Sequence, residues 1–532
     1  MVNQYHSYLF RYFWKIRSVR AGWLWFLLFV VSFGIAGISE AQSPLKQLPE
    51  QCDNLWLSAH PEQVIPCYLQ RKEPDFGWHE LASHNEFLTI SGQKDIVNIR
   101  EFSMVSQRWK TAESAKVNHP VWRHRVTLYT PEKRRSSTAL LYINNGTLYS
   151  EKNSASFLSP NENLDFAWIA ASTGSVIVNL GDVPNQLLTF GNGESLREDA
   201  LMAFTWQFFL SNPESNMDGL LQLPMVKSAV KVMDMVQTLF SQEKTSSINK
   251  NNQKSSELIN HFVVSGGSKR GWVSWLTAAH DKRVSAVIPM VIDILHMEAT
   301  LKHIFAVYPH GNFAIRSYLP LRRLIGTPAM NALIAIVDPY RYRKQLSMPK
   351  YMISVTGDNF IPPDSSQYFY KELPGEKAMR VIPNVSHYIF RNDPQQISDA
   401  VLSFYGALLD KRPVPKLQWE QKKNQLVVKA SVKPAWAKIW TGNNSHARDF
   451  RKVDENRTLS AFIPEPATFD KKGSVYELSL PLVAPEQGWR GVFAEVGFAN
   501  GKYPELIQTT RLFVLPDKYP SAEENTKDMA HK

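Results

Sequence analysis

The spacing of apolar and polar positions divides the 532-residue chain into stretches with different grammars. Residues 86–92 and 96–107 read as an antiparallel start, and 124–129 alternates as a further strand. Segments 139–144, 175–180, 261–265, 284–291, 350–356 and 378–383 are short, nearly continuous apolar runs. Strands buried on both faces of a parallel sheet have this composition. Between them, residues 224–240 place Met225, Val226, Ala229, Val232, Met233, Val236, Leu239 and Phe240 on one helical face, and 196–210 and 397–409 are also helical. Strands alternating with helices predict right-handed crossovers, hence an α/β fold: a mainly parallel sheet with helices on both faces.

Two insertions interrupt this rhythm. Residues 245–257, rich in Ser, Asn and Lys, read as a surface loop. Residues 296–346 form a long, largely helical insertion between two sheet strands, where a cap or pocket wall would be threaded. Beyond Pro413-Val414-Pro415 the pattern changes to short strands at 426–432, 438–441, 459–463, 475–480, 491–498 and 507–514, with turn residues between them. Residues 413–515 are therefore expected to form a small, immunoglobulin-like β-sandwich after a main domain at 42–412, and 516–532 a disordered polar tail.

At the N-terminus, Arg11, Lys15, Arg17 and Arg20 precede an apolar run at 21–37 and the small residues of Ser39-Glu40-Ala41. This is the layout of a signal peptide cleaved after Ala41, giving an exported, periplasmic or secreted chain; an uncleaved membrane anchor is the alternative. Cys52 and Cys67 are the only two cysteines. Export would let them persist as a disulfide, the alternative being two buried thiols, and the pair is too sparse for a zinc site. The formal charge is +11, to which the first 41 residues contribute four basic and one acidic side chain, leaving +8 on the remainder. Such modest basicity fits a solvated surface or an anionic envelope surface, and no Lys/Arg run with interleaved aromatics points to nucleic acid.

The sharpest local feature is Phe262-Val263-Val264-Ser265-Gly266-Gly267-Ser268-Lys269-Arg270-Gly271, an apolar strand entering a small-residue turn and then a helix. This is the layout of a nucleophile elbow, in which a larger residue two positions before the serine would strike the helix. The usual G-x-S-x-G spacing is altered: Arg270 stands where a small residue is expected, and Gly271 comes one later. Asp358 follows the strand at 350–356 and His387 follows the strand at 378–383, giving the chain order Ser, Asp, His of α/β-hydrolases. A serine hydroxyl needs an imidazole to take its proton, which casts His387 as base and Asp358 as the acid fixing its tautomer. Asp293 and Asp364 are the rival acids. For the oxyanion, the amide of Lys269 is one candidate donor, and Asn145 or Gly146 in the turn after 139–144 the other, although Asn-Gly there also suits an ordinary turn.

Metal chemistry finds little support. His296, His303 and His310 recur every seven residues, about 10 Å apart on a helix, too far for one ion. No glycine-rich phosphate loop, dinucleotide fingerprint or HExxH motif occurs, so no cofactor or metal is expected.

The stretch Ser265-Gly266-Gly267-Ser268-Lys269-Arg270-Gly271-Trp272 resembles the PhoPQ-activated pathogenicity-related protein family, which includes autocrine proliferation repressor-like members. So do Ser106-Gln107-Arg108-Trp109, Val183-Pro184-Asn185-Gln186, Glu198-Asp199-Ala200, Asp338-Pro339-Tyr340, Leu373-Pro374-Gly375, Pro383-Asn384-Val385-Ser386-His387 and Arg448-Asp449-Phe450-Arg451. The resemblance implies an α/β-hydrolase domain followed by a β-sandwich, export, and a link to envelope stress or virulence. It carries Ser268, Asp358 and His387 over as the family's serine, aspartate and histidine, and leads one to expect an acidic residue where Asn359 stands. Two functions follow: a serine hydrolase of an ester or peptide bond, or a hydrolase-shaped binding or signalling protein that meets an envelope surface or protein partner through its C-terminal domain.

Overall fold

A computed structural model of the protein describes residues 52–520 apart from 91, 110–115, 148–162, 192, 250–257, 310–313, 392 and 454–456. The leader, His310 and residues 521–532 of the expected tail thus lie outside the described residues. The central element is a nine-stranded sheet. Its strands are β1 (Gly77–Ile90), β2 (Gln93–Arg108), β3 (Val121–Pro131), β4 (Thr138–Ile143), β5 (Ile177–Leu180), β8 (His261–Gly267), β9 (Val284–Met290), β10 (Lys350–Gly357) and β11 (Lys377–Ser386); β6 (Leu188–Thr189) and β7 (Ser195–Leu196) pair separately. The order β1-β2-β3-β5-β4-β8-β9-β10-β11 is antiparallel up to the β3/β5 pair and parallel from β5 onward.

Alternation within single strands shows why the parallel strands read as continuous apolar runs. Ala139, Leu141 and Ile143 enter one apolar layer, while Leu140 and Tyr142 enter the layer on the other face. The first layer holds the short helices α1 (Asn54–Ala59) and α2 (Val64–Gln70), then α4 (Glu198–Ser211), α5 (Gln222–Asn249), α6 (Lys269–His280), α7 (Met297–Val307) and α8 (Pro328–Val337). The second holds α3 (Phe166–Thr173) and α9 (Pro394–Leu409). Helix α3 escaped the periodicity reading because it is buried on nearly every side, so no polar stripe marks it. Helix α5 runs through Asn249, so the first residues of the loop expected at 245–257 are helical. Cys52 and Cys67 form a disulfide that ties the segment before α1 to α2. Closing a 15-residue span removes about 3 kcal/mol of unfolded-chain entropy, so Cys67→Ser is expected to lower the denaturant midpoint.

The C-terminal strands are β12 (Leu417–Lys422), β13 (Gln425–Ala430), β14 (Trp436–Asn444), β15 (Phe462–Ala467), β16 (Asp470–Lys472), β17 (Val475–Pro481), β18 (Trp489–Phe498), β19 (Leu506–Thr509) and β20 (Phe513–Leu515). They form two antiparallel sheets, β12-β13-β17-β16 and β15-β14-β18-β19 with β20 also on β18, which share one apolar cluster that includes Leu426, Leu480 and Val496. The strand expected at 459–463 lies instead at Phe462–Ala467. Pro464 and Pro466 argue against a strand there, but β15 is an edge, where missing donors are tolerated.

These sheets are fused to the central one. Tyr351 donates its hydroxyl to the Ile507 carbonyl (2.5 Å), the Val381 amide donates to Thr509 Oγ1 (3.0 Å), and Phe450, Phe462 and Phe493 belong to the same apolar layer as α6.

Candidate active site

The geometry begins at the end of β8. Ser268 has φ 55° and ψ −125°, a strained conformation for a residue with a Cβ, and α6 starts at the next residue. Two glycines make room for so sharp a turn. A Cβ on Gly266 would come within 2.8 Å of the Arg270 carbonyl carbon, and one on Gly271 within 2.8 Å of the Gly266 oxygen. Gly271 thus supplies the close approach that the usual elbow spacing assigns to the position held by Arg270. Gly266→Ala is expected to cost about 1–3 kcal/mol by overpacking and to abolish reactivity at Ser268, measured by melting and by active-site labelling.

Arg270 does not obstruct the turn, because its guanidinium is engaged elsewhere. It donates to the Val183 carbonyl (2.6 Å) and forks onto both oxygens of Glu198 (2.6 and 2.9 Å). Gln186 donates one amide to Glu198 (2.7 Å) and to the Gly146 carbonyl (2.7 Å), and accepts from the Glu198 amide (2.8 Å). An ion pair between a buried Arg270 and a half-buried Glu198 therefore connects the elbow to the turn after β4. Lys269 lies alongside, paired with Asp199 (3.0 Å) and Glu198 (3.0 Å), and Tyr318 donates its hydroxyl to Asp199 (2.8 Å). Burial alone would raise the Glu198 carboxyl, but the Arg270 and Lys269 charges outweigh it and hold the group well below its ordinary value.

His387 follows β11, and its Nδ1–H donates to Asp358 Oδ2 (2.8 Å). Asp358 Oδ1 accepts the amides of Phe360 (2.7 Å) and Ile361 (3.0 Å), so three donors fix the carboxylate. The rival acids are occupied otherwise. Asp364 binds Arg448 (2.6 Å) and His303 Nε2 (2.9 Å). Burial raises Asp364, and those two partners outweigh it and hold the carboxyl below the usual range. Asp293 accepts from Ser354 Oγ (2.5 Å), and burial pushes it up to about 7.

Because this folded value exceeds the ordinary 3.8, Asp293 contributes stability that is full below about pH 4 and is lost as pH rises through about 7. Asp293→Asn is expected to flatten the stability difference between pH 4.5 and pH 8, read from denaturant midpoints.

Ser268, Lys269, Asn145, His387, Tyr388 and Arg391 line one cavity of about 420 Å³. Ser268 lines that cavity, and its hydroxyl makes no hydrogen bond among the described residues. A second, apolar compartment of about 60 Å³ shares Ser268, Lys269 and His387, and Leu301, Ile304, Phe305, Ile315 and Tyr318 from the 296–346 insertion form part of its wall. Of the two oxyanion candidates after β4, Asn145 reaches the cavity, but its amide already donates to Asn144 Oδ1 (2.9 Å). Gly146 presents its carbonyl to Gln186 and is not among the cavity residues. A larger cleft of about 1100 Å³ near Tyr370, Trp419 and Arg511 is lined by neither histidine nor cysteine.

His296 and His303, singled out by their spacing, are engaged by different partners. His296 Nδ1–H donates to the Tyr368 carbonyl (3.0 Å), whereas His303 lies between Asp364 and the Tyr519 hydroxyl (3.0 Å). Among the described residues no group of three or more His, Cys, Asp or Glu is placed to hold a metal.

The C-terminal sheets contribute to the acid's loop. The Lys452 amide donates to the Gly357 carbonyl (3.0 Å), Asn359 Nδ2 to the Lys452 carbonyl (2.8 Å), and Arg448 clamps Asp364. The amide at Asn359 thus serves as a donor where an acidic side chain was expected. On the histidine strand, Asn384 exchanges two hydrogen bonds with the Phe462 backbone (2.7 and 2.9 Å). No pattern of spacing along the chain marks Gln186, Glu198, Asp199 or Arg448 as part of the site. The only signal for them is their presence in the short motifs, since a polar contact between residues far apart in the chain leaves no periodicity.

A strand-turn-helix elbow, an acid after β10 and a histidine after β11, set on one mixed sheet, define an α/β-hydrolase-like fold. The chain belongs to the PhoPQ-activated pathogenicity-related protein family, whose model matches residues 65–451. It is 32% identical over 478 residues to autocrine proliferation repressor protein A of Dictyostelium discoideum, covering 85% of this chain and 90% of that protein. Similar solved structures include acetyl xylan esterase 1 from Thermoanaerobacterium sp. JW/SL YS485, with TM-score 0.40 and 14% identity over 65% of this chain and 93% of that one. Another is the acetyl xylan esterase from Paenibacillus sp. R4, with TM-score 0.39 and 16% identity over 68% and 96%.

Proposed function

We propose that the protein is an exported serine hydrolase that cleaves an ester or peptide bond through an acyl-enzyme. The observation that carries this reading is the His387–Asp358 hydrogen bond beside a strained Ser268 on a shared cavity. His387 Nε2 takes the Ser268 proton as Oγ attacks the carbonyl carbon, the C–O or C–N bond to the leaving group breaks, and the imidazolium returns its proton to the leaving group. Water repeats the sequence to release the acid and restore Ser268. The Lys269 amide at the start of α6 and a donor on Asn145 stabilise the oxyanion, the latter after releasing Asn144.

Export after cleavage at Ala41 accords with the Cys52–Cys67 disulfide, which persists outside the cytosol. Among the described residues no helix is long and apolar enough to cross a membrane. We read the C-terminal sheets as an immunoglobulin-like sandwich and propose a role in envelope stress or virulence, the latter in accord with the family's description as pathogenicity-related.

Ester hydrolysis with burst kinetics, lost in Ser268→Ala at unchanged melting temperature, is the expected result; a folded wild type without activity on any ester or peptide argues against the reading. A signalling role is the second reading, favoured by the name of the Dictyostelium relative. It predicts that Ser268→Ala keeps full biological effect while surface changes in the C-terminal sheets abolish it.

A further inference from the structure

The two compartments that meet at Ser268 differ sharply in size and polarity. The smaller, about 60 Å³, is walled mostly by apolar side chains and by the rings of Trp206, Trp272 and Tyr318, with Asp199, Ser268, Lys269 and His387 shared with the larger one. The polar tip of each ring is already bound within the protein. Trp272 Nε1–H donates to the Val337 carbonyl (2.6 Å), Trp206 Nε1–H to Gln222 Oε1 (3.3 Å), and the Tyr318 hydroxyl to Asp199 (2.8 Å). What these rings offer an occupant is apolar surface. The rings also pack on one another, with Trp206 centred 5.5 Å from both Trp272 and Tyr318, so the wall is braced against expansion. The larger compartment, about 420 Å³, adds charged groups at Arg197, Glu198 and Arg391 and runs along residues 387–391 beside the base.

From this division we propose, building on the hydrolase reading above, that the substrate is an ester of a short acyl chain of about two to four carbons. The acyl tail occupies the small compartment and the alcohol portion the large one. A volume of about 60 Å³ holds on the order of four water-sized groups, which suits a tail of one to three carbons beyond the carbonyl.

Chemistry fixes the orientation. The acyl group stays bonded to Ser268 Oγ when the C–O bond breaks, so it can sit in the smaller compartment. The alcohol takes its proton from His387, which borders both compartments, and must depart before water enters; the larger compartment, which continues along residues 388–391, gives it room to leave. Trp206 and Phe305 then act as specificity-determining residues that set the chain-length ceiling.

The test uses the full chain with 4-nitrophenyl acetate, propionate, butyrate and octanoate, and compares 1-naphthyl acetate with methyl 1-naphthoate. The expected result is a kcat/KM that rises about fourfold per methylene to butyrate and drops at least tenfold for octanoate, with naphthyl acetate preferred over methyl naphthoate. Phe305→Ala, checked for folding by melting, is expected to move the maximum to a longer chain. An octanoate rate equal to or above butyrate, or a preference for the methyl ester, overturns the proposal. Labelling of Ser268 by a fluorophosphonate separates the two levels: a labelled enzyme with the wrong chain profile refutes the short-acyl assignment alone, whereas an unlabelled, inactive protein refutes the hydrolase reading and this inference together.

Discussion

Asp358→Asn is expected to lower kcat for ester hydrolysis by about four orders of magnitude while leaving the melting temperature within a few degrees. The carboxylate accepts the His387 Nδ1–H and two backbone amides. An amide at this position retains an oxygen for the backbone donors, but its NH2 group, if turned to the histidine, forces the proton onto Nε2, where it blocks acceptance of the Ser268 proton. KM should change little, because the acid is buried beneath the histidine and is not among the residues lining the cavity. Asp293→Asn serves as the control. That carboxyl is held by Ser354 and its replacement should alter kcat only severalfold. A fall of similar size in both variants would place the acid elsewhere.

Arg270→Ala is expected to destabilise the protein by about 3 kcal/mol, because it removes the fork on Glu198 and orphans the Val183 carbonyl. Glu198 lies below its ordinary carboxylate value in the folded state. Its contribution to stability is therefore present above the unfolded value near 4.5 and is lost as pH falls through the lower folded value. Chemical denaturation of wild type and variant across pH 3 to 7 should show the gap between them narrowing toward the acid end. Activity should fall as well, since the same ion pair fixes Gln186 against the turn after β4. If the gap widens on acidification, the pairing assigned to Glu198 is wrong.

Much of this site was legible in the sequence because its parts obey local rules. The apolar run into Ser265-Gly266-Gly267-Ser268 marks a strand and a tight turn, and the strand ends before Asp358 and His387 follow from the same two-sided burial that shapes β10 and β11. Arg270 was the residue that looked out of place. Its role depends on Glu198, 72 positions away in the chain, and no periodicity links two such residues. The same limit explains the C-terminal sheets. Their strands announce themselves by alternation, but the bonds from Lys452 and Asn359 that hold the acid's loop depend on tertiary packing. The motif Arg448-Asp449-Phe450-Arg451 marked the place without showing its purpose, which is to buttress Asp364 and the loop around Asp358. Residues 416–515 are accordingly expected to be needed for activity, not only for partner recognition.

The most direct test of a nucleophilic serine at the elbow is covalent trapping. The full chain, incubated with a fluorophosphonate, is analysed by intact mass and by peptide mapping. One adduct per chain, carried by the peptide that contains Ser268 and absent from Ser268→Ala, is the predicted result; a folded wild type that takes no label, or takes it on another residue, would contradict the account.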